Sequence, residues 1–308
     1  MPVNPDWGLS WNVVRDIQEM WSLPSMVNAY RAGTIIAVVA GAVGWFMVLR
    51  RQTFAGHTVA VAGFPGAAGA VLIGVGSVYG YFGFCVGAAL LIALGTRPGS
   101  RGLAHESALT GVVQAFALAC GVLFVSLFHG FLNETEGLLF GSVLGITDGD
   151  VLTLAAVAVA VLLAMAAIAR PLLFASVDPD VAAARGVPTR LLGALFLVLL
   201  GAAAAEVSQI TGSLLVFALL VMPAATAQLI TARPVLSLLL TVVIGFVVTW
   251  VGLAVAFFTP YPIGFYVTTF AFVAYVLAYA VRNIIVPLLA RSAAGQSPVV
   301  TAGTGAAA

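Results

Sequence analysis

Stretches without any charged residue dominate this chain, and two of them reach 45 and 48 residues, at 52–96 and 234–281. A helix needs about 20 mostly apolar residues to cross a hydrocarbon core of about 30 Å, and in lipid the backbone polar groups must be satisfied within the protein. Hydrophobic residues make up 62% of the 308 positions and charged residues only 7%, whereas a soluble domain carries about a quarter charged residues. The sequence therefore predicts an all-α polytopic membrane protein.

The charged residues divide the chain into nine predicted membrane spans. Each of the two longest stretches holds two spans, with turns expected at Tyr79-Gly80-Tyr81 and at residues 259–262. One short span is expected to end at Glu206, in the outward turn to the next. The predicted spans lie in 32–49, 52–96 (two), 107–133, 151–169, 191–205, 207–232 and 234–281 (two).

Arginine supplies all 12 basic residues, and its distribution predicts the orientation of the spans. Basic residues in short loops are retained on the cytoplasmic side. With nine alternating spans, an outside amino terminus and an inside carboxyl terminus place ten arginines inside and leave only Arg15 and Arg31 outside. Because there is no lysine, the chain has no Walker A motif, which needs a Gly-Lys pair. Any ATP hydrolysis must therefore occur on another polypeptide.

Three segments are expected along the chain. Residues 1–31 combine tryptophans with acidic residues, a mixture typical of an extracytoplasmic segment lying at the membrane interface. Residues 32–291 hold the transmembrane domain, with a cytoplasmic loop at 175–190. Residues 292–308 are small and uncharged, and predict a disordered cytoplasmic tail.

The second span carries small residues at four-residue spacing and a single ionisable group, His57. Small side chains on one helical face let another backbone approach closely, so this span is expected to be central rather than lipid-facing. An imidazole in a membrane is expensive unless it faces protein or a water-filled path. His57 is therefore either a structural histidine bonded to a neighbouring helix, or a ligand or gate for a divalent cation. The small residues are Gly56, Ala60, Gly66, Ala70 and Gly74.

Glu206 is a second candidate, since Ser208, Gln209 and Thr211 follow it closely. These groups supply oxygen donors suited to Mn²⁺ or Fe²⁺, or a carboxylate for Zn²⁺. The alternative is an interfacial glutamate solvated by headgroups and water. In the next span Pro223 lacks an N–H and is expected to bend the helix, which either lines a path or only shapes packing.

The loop at 175–190 predicts a short, well-capped helix. Asp178 is placed to N-cap it, Pro179 occupies the first helical position, Arg185 complements the carboxyl-end dipole and Gly186 ends it. A plain connector would not need both caps. The pattern therefore favours a docking element for a cytosolic partner.

Four runs taken together resemble the permease subunit of bacterial ABC-type divalent-metal importers, the zinc, manganese and iron group. They are Arg50 to Gly66, Leu139 to Ile146, Asp178 to Pro188 and Leu220 to Ala227, and the likeness extends in order from about residue 32 to 285. The resemblance implies a type II importer-like fold in the bacterial cytoplasmic membrane. It also implies a permease homodimer, separate cytosolic ATPase subunits that bind ATP, and an extracytoplasmic metal-binding protein.

The resemblance further implies roles for particular residues. Members of the family often carry Asp-x-x-x-His at the start of the second span, where this chain has His57 and Val61. Because the second donor is absent, a metal path would need another ligand, such as Glu206. Gly56, Gly66 and Pro223 would shape the path. The residues implied for coupling to the ATPase are Asp178, Pro179, Ala184, Arg185, Gly186 and Pro188.

The function expected is import of a divalent metal ion by alternating access at the homodimer interface, with the metal as cargo and no permanently bound cofactor. One alternative is a chelated or organometallic cargo, which needs a wider path. Another is an ion-coupled secondary carrier, which would usually show internal repeats and several ionisable groups at mid-membrane. An integral membrane enzyme would need a cluster of catalytic side chains, and no nucleic-acid partner is expected.

Overall fold

The computed structural model describes residues 13–95, 103–127, 145–213, 216–259 and 261–285. Within these ranges the regular structure is helical and contains no strand, which confirms the all-α class. The helices are α1 (Val13–Ser22), α2 (Pro24–Leu49), α3 (Thr53–Leu72), α4 (Ser77–Gly95), α5 (Leu103–Leu127), α6 (Asp148–Val177), α7 (Pro179–Ala184), α8 (Thr189–Thr211), α9 (Val216–Ile230), α10 (Pro234–Phe257) and α11 (Ile263–Ala280), followed by a π-helical turn at Val281–Ile285.

Some sequence predictions fall on residues outside this description. They include the tail at 292–308, most of the motif at 139–146 and the first twelve residues of the predicted interfacial segment. The first membrane helix, α2, begins at Pro24, upstream of the start expected at residue 32. Proline is favoured in the first turn of a helix because its missing N–H has no intrahelical partner there.

Eight of the described helices are long and apolar enough to cross a membrane: α2 to α6, α8, α10 and α11. The remaining apolar helix, α9, has 15 residues and is shorter than a full span. The polytopic architecture is thereby confirmed, while nine spans and their orientation stay predictions. The turn expected at 259–262 is present, since α10 ends at Phe257 and Pro262 precedes α11.

The turn expected at Tyr79-Gly80-Tyr81 is wrong, because those residues lie inside α4. The chain turns instead at 73–76, where Gly74 adopts a left-handed φ of 75°. The N–H groups of Gly74 and Val75 donate to the carbonyls of Val71 and Ala70, at 3.1 and 2.8 Å, and so cap the end of α3. Both regions are rich in glycine, but Gly74 reverses the chain whereas Gly80 serves helix packing.

Helix α3 lies inside the bundle and packs against α4, α5 and α8. Most of its residues are buried, which confirms that the small-residue span is central. Gly66 of α3 faces Gly80 of α4 so closely that a Cβ on either residue would collide with the carbonyl oxygen of the other. Elsewhere in the bundle, a Cβ on Gly44 of α2 would collide with the Leu220 carbonyl oxygen of α9. Close backbone packing of this kind is typical of helices in membranes.

Hydrogen bonds between side chains join two pairs of helices. The indole Nε1 of Trp45 donates to Ser237 Oγ at 3.0 Å and that of Trp250 donates to Thr34 Oγ1 at 3.0 Å, which links α2 to α10 twice. The hydroxyl of Thr58 donates to Gln114 Oε1 at 3.0 Å and links α3 to α5. Such bonds between helices contribute about 0.6 kcal/mol each on average in a membrane.

The glycine contact between α3 and α4 can be tested with a matched pair of substitutions in one helix. We expect Gly80→Ala to destabilise the protein by about 1–3 kcal/mol, since its methyl group would strike the Gly66 carbonyl. Gly83→Ala is the control, because a Cβ at Gly83 has nothing within 4 Å. Thermal unfolding of the two purified variants in detergent measures the difference, and equal melting temperatures would contradict the contact.

Candidate functional site

Glu206 lies inside α8, which continues to Thr211 and ends at Gly212 with a φ of 73°. The side chain is completely buried. The expected end of the span at Glu206 and the solvated interfacial position are therefore both wrong. The reason is local: the hydroxyl groups of Ser208 and Thr211 donate to the carbonyls of Ala204 and Val207, at 2.7 and 3.1 Å, so these polar residues continue the helix.

Neither carboxyl oxygen of Glu206 has a hydrogen-bond partner among the described residues. The same holds for Nε2 of Gln209 and Oγ of Ser213, which follow Glu206 by three and seven positions. The three-residue spacing places Gln209 on the same side of α8 as Glu206, whereas Ser213 lies beyond the end of the helix at Gly212. Nothing in the sequence signals Ser213, because helical spacing does not extend past Gly212. An ionised carboxylate without a partner is costly in such an interior, so these oxygens favour a bound cation or a proton.

Glu206 and His57 are not brought together as partners. A Cβ on Gly63 of α3 would lie 3.2 Å from Ser208 Oγ, so α3 packs on the Ser208 face of α8. Glu206 stands two positions earlier and points about 200° away around the helix. No hydrogen bond or ion pair joins it to His57 within the described ranges, and these ranges contain no group of three or more His, Cys, Asp or Glu residues that could hold a metal ion.

His57 lies near the start of α3 and is half-buried. Its ring meets Phe217 of α9 edge to face, with centroids 4.9 Å apart and planes at 70°. Its Nδ1 atom is buried and has no hydrogen-bond partner in the described part of the chain. A purely structural histidine would be bonded to a neighbouring helix, so the free nitrogen favours the ligand role. Val61, one turn later, is buried and offers no donor.

The three residues expected to shape a path all lie in close helix contacts. A Cβ on Gly56 would strike Sδ of Met47 in α2, and Gly66 packs on Gly80 as described above. Pro223 is buried within α9, and its Cγ lies 3.9 Å from a Cβ built on Gly245 of α10. These residues therefore set the spacing between neighbouring helices.

The short helix predicted in the 175–190 loop is present as α7. Oδ1 of Asp178 accepts the N–H of Val181 at 3.0 Å, and Pro179 begins the helix. Gly186 ends it with a φ of 80°, and its N–H donates to the Ala183 carbonyl at 3.0 Å. The N–H of Val187 donates to the Ala182 carbonyl, also at 3.0 Å, which completes a Schellman motif. Pro188 then N-caps α8.

Helix α7 is a surface feature held by one buried side chain. Ala182 is fully buried against the bundle, whereas Pro179, Ala184 and Arg185 are exposed. Small exposed side chains such as Ala183 and Ala184 present a smooth surface that a groove on a partner can enclose. The two caps hold this surface in a defined shape.

Comparison with known proteins identifies a transport subunit of the ABC class. The model of the ABC 3 transport family matches residues 22–282. This chain belongs to that family, which confirms the resemblance predicted from the motifs. It is accordingly a multi-pass permease subunit of the bacterial cytoplasmic membrane and not an enzyme.

Two relatives and one solved structure define the comparison. The manganese import system permease protein ScaB of Streptococcus parasanguinis is 31% identical over 75% of this chain and 81% of its own length. The chelated iron transport system membrane protein YfeC of Yersinia pestis is 30% identical over 76% and 78%. PsaBC from Streptococcus pneumoniae in complex with Fab superposes with a TM-score of 0.78 at 24% identity, over 91% of this chain and 99% of that chain. The last likeness shows the fold.

The cap of α7 makes a local prediction. Gly186→Ala forces a side chain into a left-handed conformation, at a cost of about 1–2 kcal/mol, so the amides of the 178–187 segment should exchange about fivefold to thirtyfold faster. Hydrogen exchange of the purified permease, followed by mass spectrometry, measures this. Arg185→Ala is the control, since Arg185 has an ordinary φ of −83°. Unchanged exchange in Gly186→Ala would show that α7 does not depend on this cap.

Proposed function

We propose that this chain forms the membrane path of an importer that moves a divalent metal ion into the cytoplasm by alternating access between two copies of the permease. The observation that carries the proposal is the match to the ABC 3 transport family over 22–282. The name of the relative ScaB, a manganese import permease, supports manganese as the cargo. Membership of an ABC family leaves the ion-coupled secondary carrier without support.

Glu206 and His57 are the residues proposed to meet the ion. Carboxylate and imidazole ligands suit Mn²⁺, Fe²⁺ and Zn²⁺, and both side chains carry buried atoms without a hydrogen-bond partner in the described residues. Because they do not share one site, each would hold the ion weakly at a different stage of its passage. Transport requires that the ion bind favourably enough to enter the path and weakly enough to leave it.

A chelated metal is the second candidate cargo. It is favoured by the lack, among the described residues, of any group of three or more side chains able to hold a bare ion. A cargo that brings its own ligands does not need them from the protein. The relative YfeC, named for chelated iron transport, supports the same alternative.

The partners proposed are cytosolic ATPase subunits, an extracytoplasmic metal-binding protein and a second copy of this chain. Helix α7 would fit a groove in the ATPase, through Ala184 and Arg185 on its exposed surface and with Asp178, Gly186 and Pro188 holding its ends. ATP binding and hydrolysis on that partner would draw the two α7 helices together and switch the path between its outward and inward states.

Substitution of the two candidate ligands tests the path. We expect Glu206→Gln and His57→Ala to weaken Mn²⁺ uptake at least about tenfold, equivalent to roughly 1.4 kcal/mol of cation binding, without lowering the amount of protein in the membrane. Uptake of labelled Mn²⁺ into vesicles that contain the assembled transporter measures this. Ser208→Ala is the control, because its hydroxyl is already bonded to the Ala204 carbonyl. Parental kinetics in both variants would leave the two residues with structural roles only.

The docking role of α7 has a separate test. We expect Ala184→Trp or Arg185→Glu to uncouple the partner's ATP hydrolysis from uptake, because each change places bulk or reversed charge on the exposed surface of α7. ATPase activity and uptake are measured together in vesicles. Arg190→Ala, an exposed arginine at the start of α8, is the control. Unchanged transport by both α7 variants would refute docking through this helix.

A further inference from the structure

A cavity of about 630 Å³ lies where several membrane helices end on the same side of the bundle, and we call it the arginine cavity. The end of α2, the starts of α3 and α5, the end of α6 and the first residue of α7 form its walls. Its polar lining includes Arg50, Arg51, Gln52, Ser107 and Ser176. None of the residues that line it is acidic. The cavity therefore has the chemistry of an anion site and stands apart from Glu206.

The backbone at Arg51 is strained in a way that glycine would relieve. Arg51 has a φ of 57° and is the one non-glycine residue with a positive φ among the described residues. Its N–H donates to the Val48 carbonyl and the N–H of Gln52 donates to the Met47 carbonyl, both at 3.0 Å, so Arg51 holds the C′ position of a Schellman motif. Glycine is the usual residue there because a side chain costs about 1–2 kcal/mol. This strain makes Arg51 a candidate functional residue.

The two arginines of the cavity differ in their surroundings. The guanidinium of Arg50 donates to Ser176 Oγ at 3.3 Å and Gln52 Oε1 at 3.1 Å, and it lies over the ring of Phe196 at 5.5 Å. Arg50 therefore joins α2, α6 and α8. Arg51 is exposed, and its side chain has no hydrogen bond or ion pair to the described residues. Arg51 is the cation of this cavity that remains open to a ligand.

The size of the cavity and its mixture of polar and apolar lining residues indicate which kind of anion it can bind. A volume of about 630 Å³ suits a ligand much larger than a phosphate ion. Phe54 and Val177, exposed by 44% and 72%, add apolar surface beside the arginines. Basic pockets between membrane helices on the cytoplasmic side are known to bind anionic headgroups.

We propose that the arginine cavity binds the headgroup of an anionic phospholipid from the cytoplasmic leaflet, with Arg51 holding its phosphate. The apolar wall at Phe54 and Val177 contacts the glycerol and the first part of the acyl chains. Because Pro179 both lines the cavity and begins α7, the bound lipid joins the α2–α3 turn to the proposed coupling helix. Lipid binding is a property of this chain alone, whereas the choice of leaflet rests on the predicted orientation and an effect on coupling rests on the proposed transport function.

The test compares lipid preference in the purified full-length chain. After reconstitution in discs with equal phosphatidylglycerol and phosphatidylcholine, native mass spectrometry counts the lipids retained on the protein. We expect the parent to retain phosphatidylglycerol in preference to phosphatidylcholine. In Arg51→Gly this preference should fall about fivefold, which is the effect of one arginine near an anionic surface. Arg51→Gly relieves the backbone strain, so its melting temperature should equal or exceed that of the parent. Arg51→Lys should restore most of the preference, since it restores the charge.

Control arms distinguish the other sources of an anion. Arg190→Ala, an exposed arginine that does not line the cavity, should retain lipid like the parent. Full competition by millimolar inorganic phosphate would assign the cavity to free phosphate and overturn the lipid. Unchanged lipid preference in Arg51→Gly, with weaker capture of the ATPase subunit, would assign it to a carboxylate of that partner and also overturn the proposal. ATPase-coupled uptake in vesicles with and without phosphatidylglycerol then measures coupling separately.

Discussion

The architecture depends on how closely α3 and α4 approach each other at Gly66 and Gly80. In lipid the hydrophobic effect gives little reason for one apolar helix to leave the bilayer for another, so association relies on packing and hydrogen bonds. At this contact each glycine meets the other's carbonyl oxygen, which no side chain would permit. Helix α3 is thereby held inside the bundle, and with it His57. The same device between Gly44 and Leu220 holds α9 against α2.

Against this apolar background, each buried polar group without a partner is conspicuous. Most hydroxyl groups in the spans donate to a carbonyl one turn back, as Thr226, Thr241 and Thr249 do. Glu206 and His57 do not follow this pattern, since neither Glu206 oxygen nor His57 Nδ1 has a partner in the described residues. A polar group left unsatisfied in a membrane interior destabilises the fold. The unpartnered atoms are therefore the ones that the proposed function assigns to the ion, and a bound cation or a proton would satisfy the Glu206 oxygens.

Several predictions from the sequence are confirmed because they rest on local chemistry. The capped helix α7 follows from Asp178, Pro179 and Gly186, each within one turn of the group it satisfies. The break before α11 follows from Pro262. The errors arose where one residue type has two uses. Glycine at 74 reverses the chain while glycine at 80 packs a helix, and serine and threonine after Glu206 resemble a turn but bond to their own helix.

The sequence by itself determined that this chain is a helical membrane protein with a capped helix in one loop and a resemblance to ABC-type metal permeases, because hydropathy, helix caps and family motifs are properties of short segments. Only the tertiary structure decided that Glu206 is completely buried, that His57 and Glu206 do not face each other, and that Arg51 borders a cavity. These facts depend on which helices surround each side chain. That choice is made by close contacts between residues far apart in the chain, such as Gly66 with Gly80 and Gly63 with Ser208.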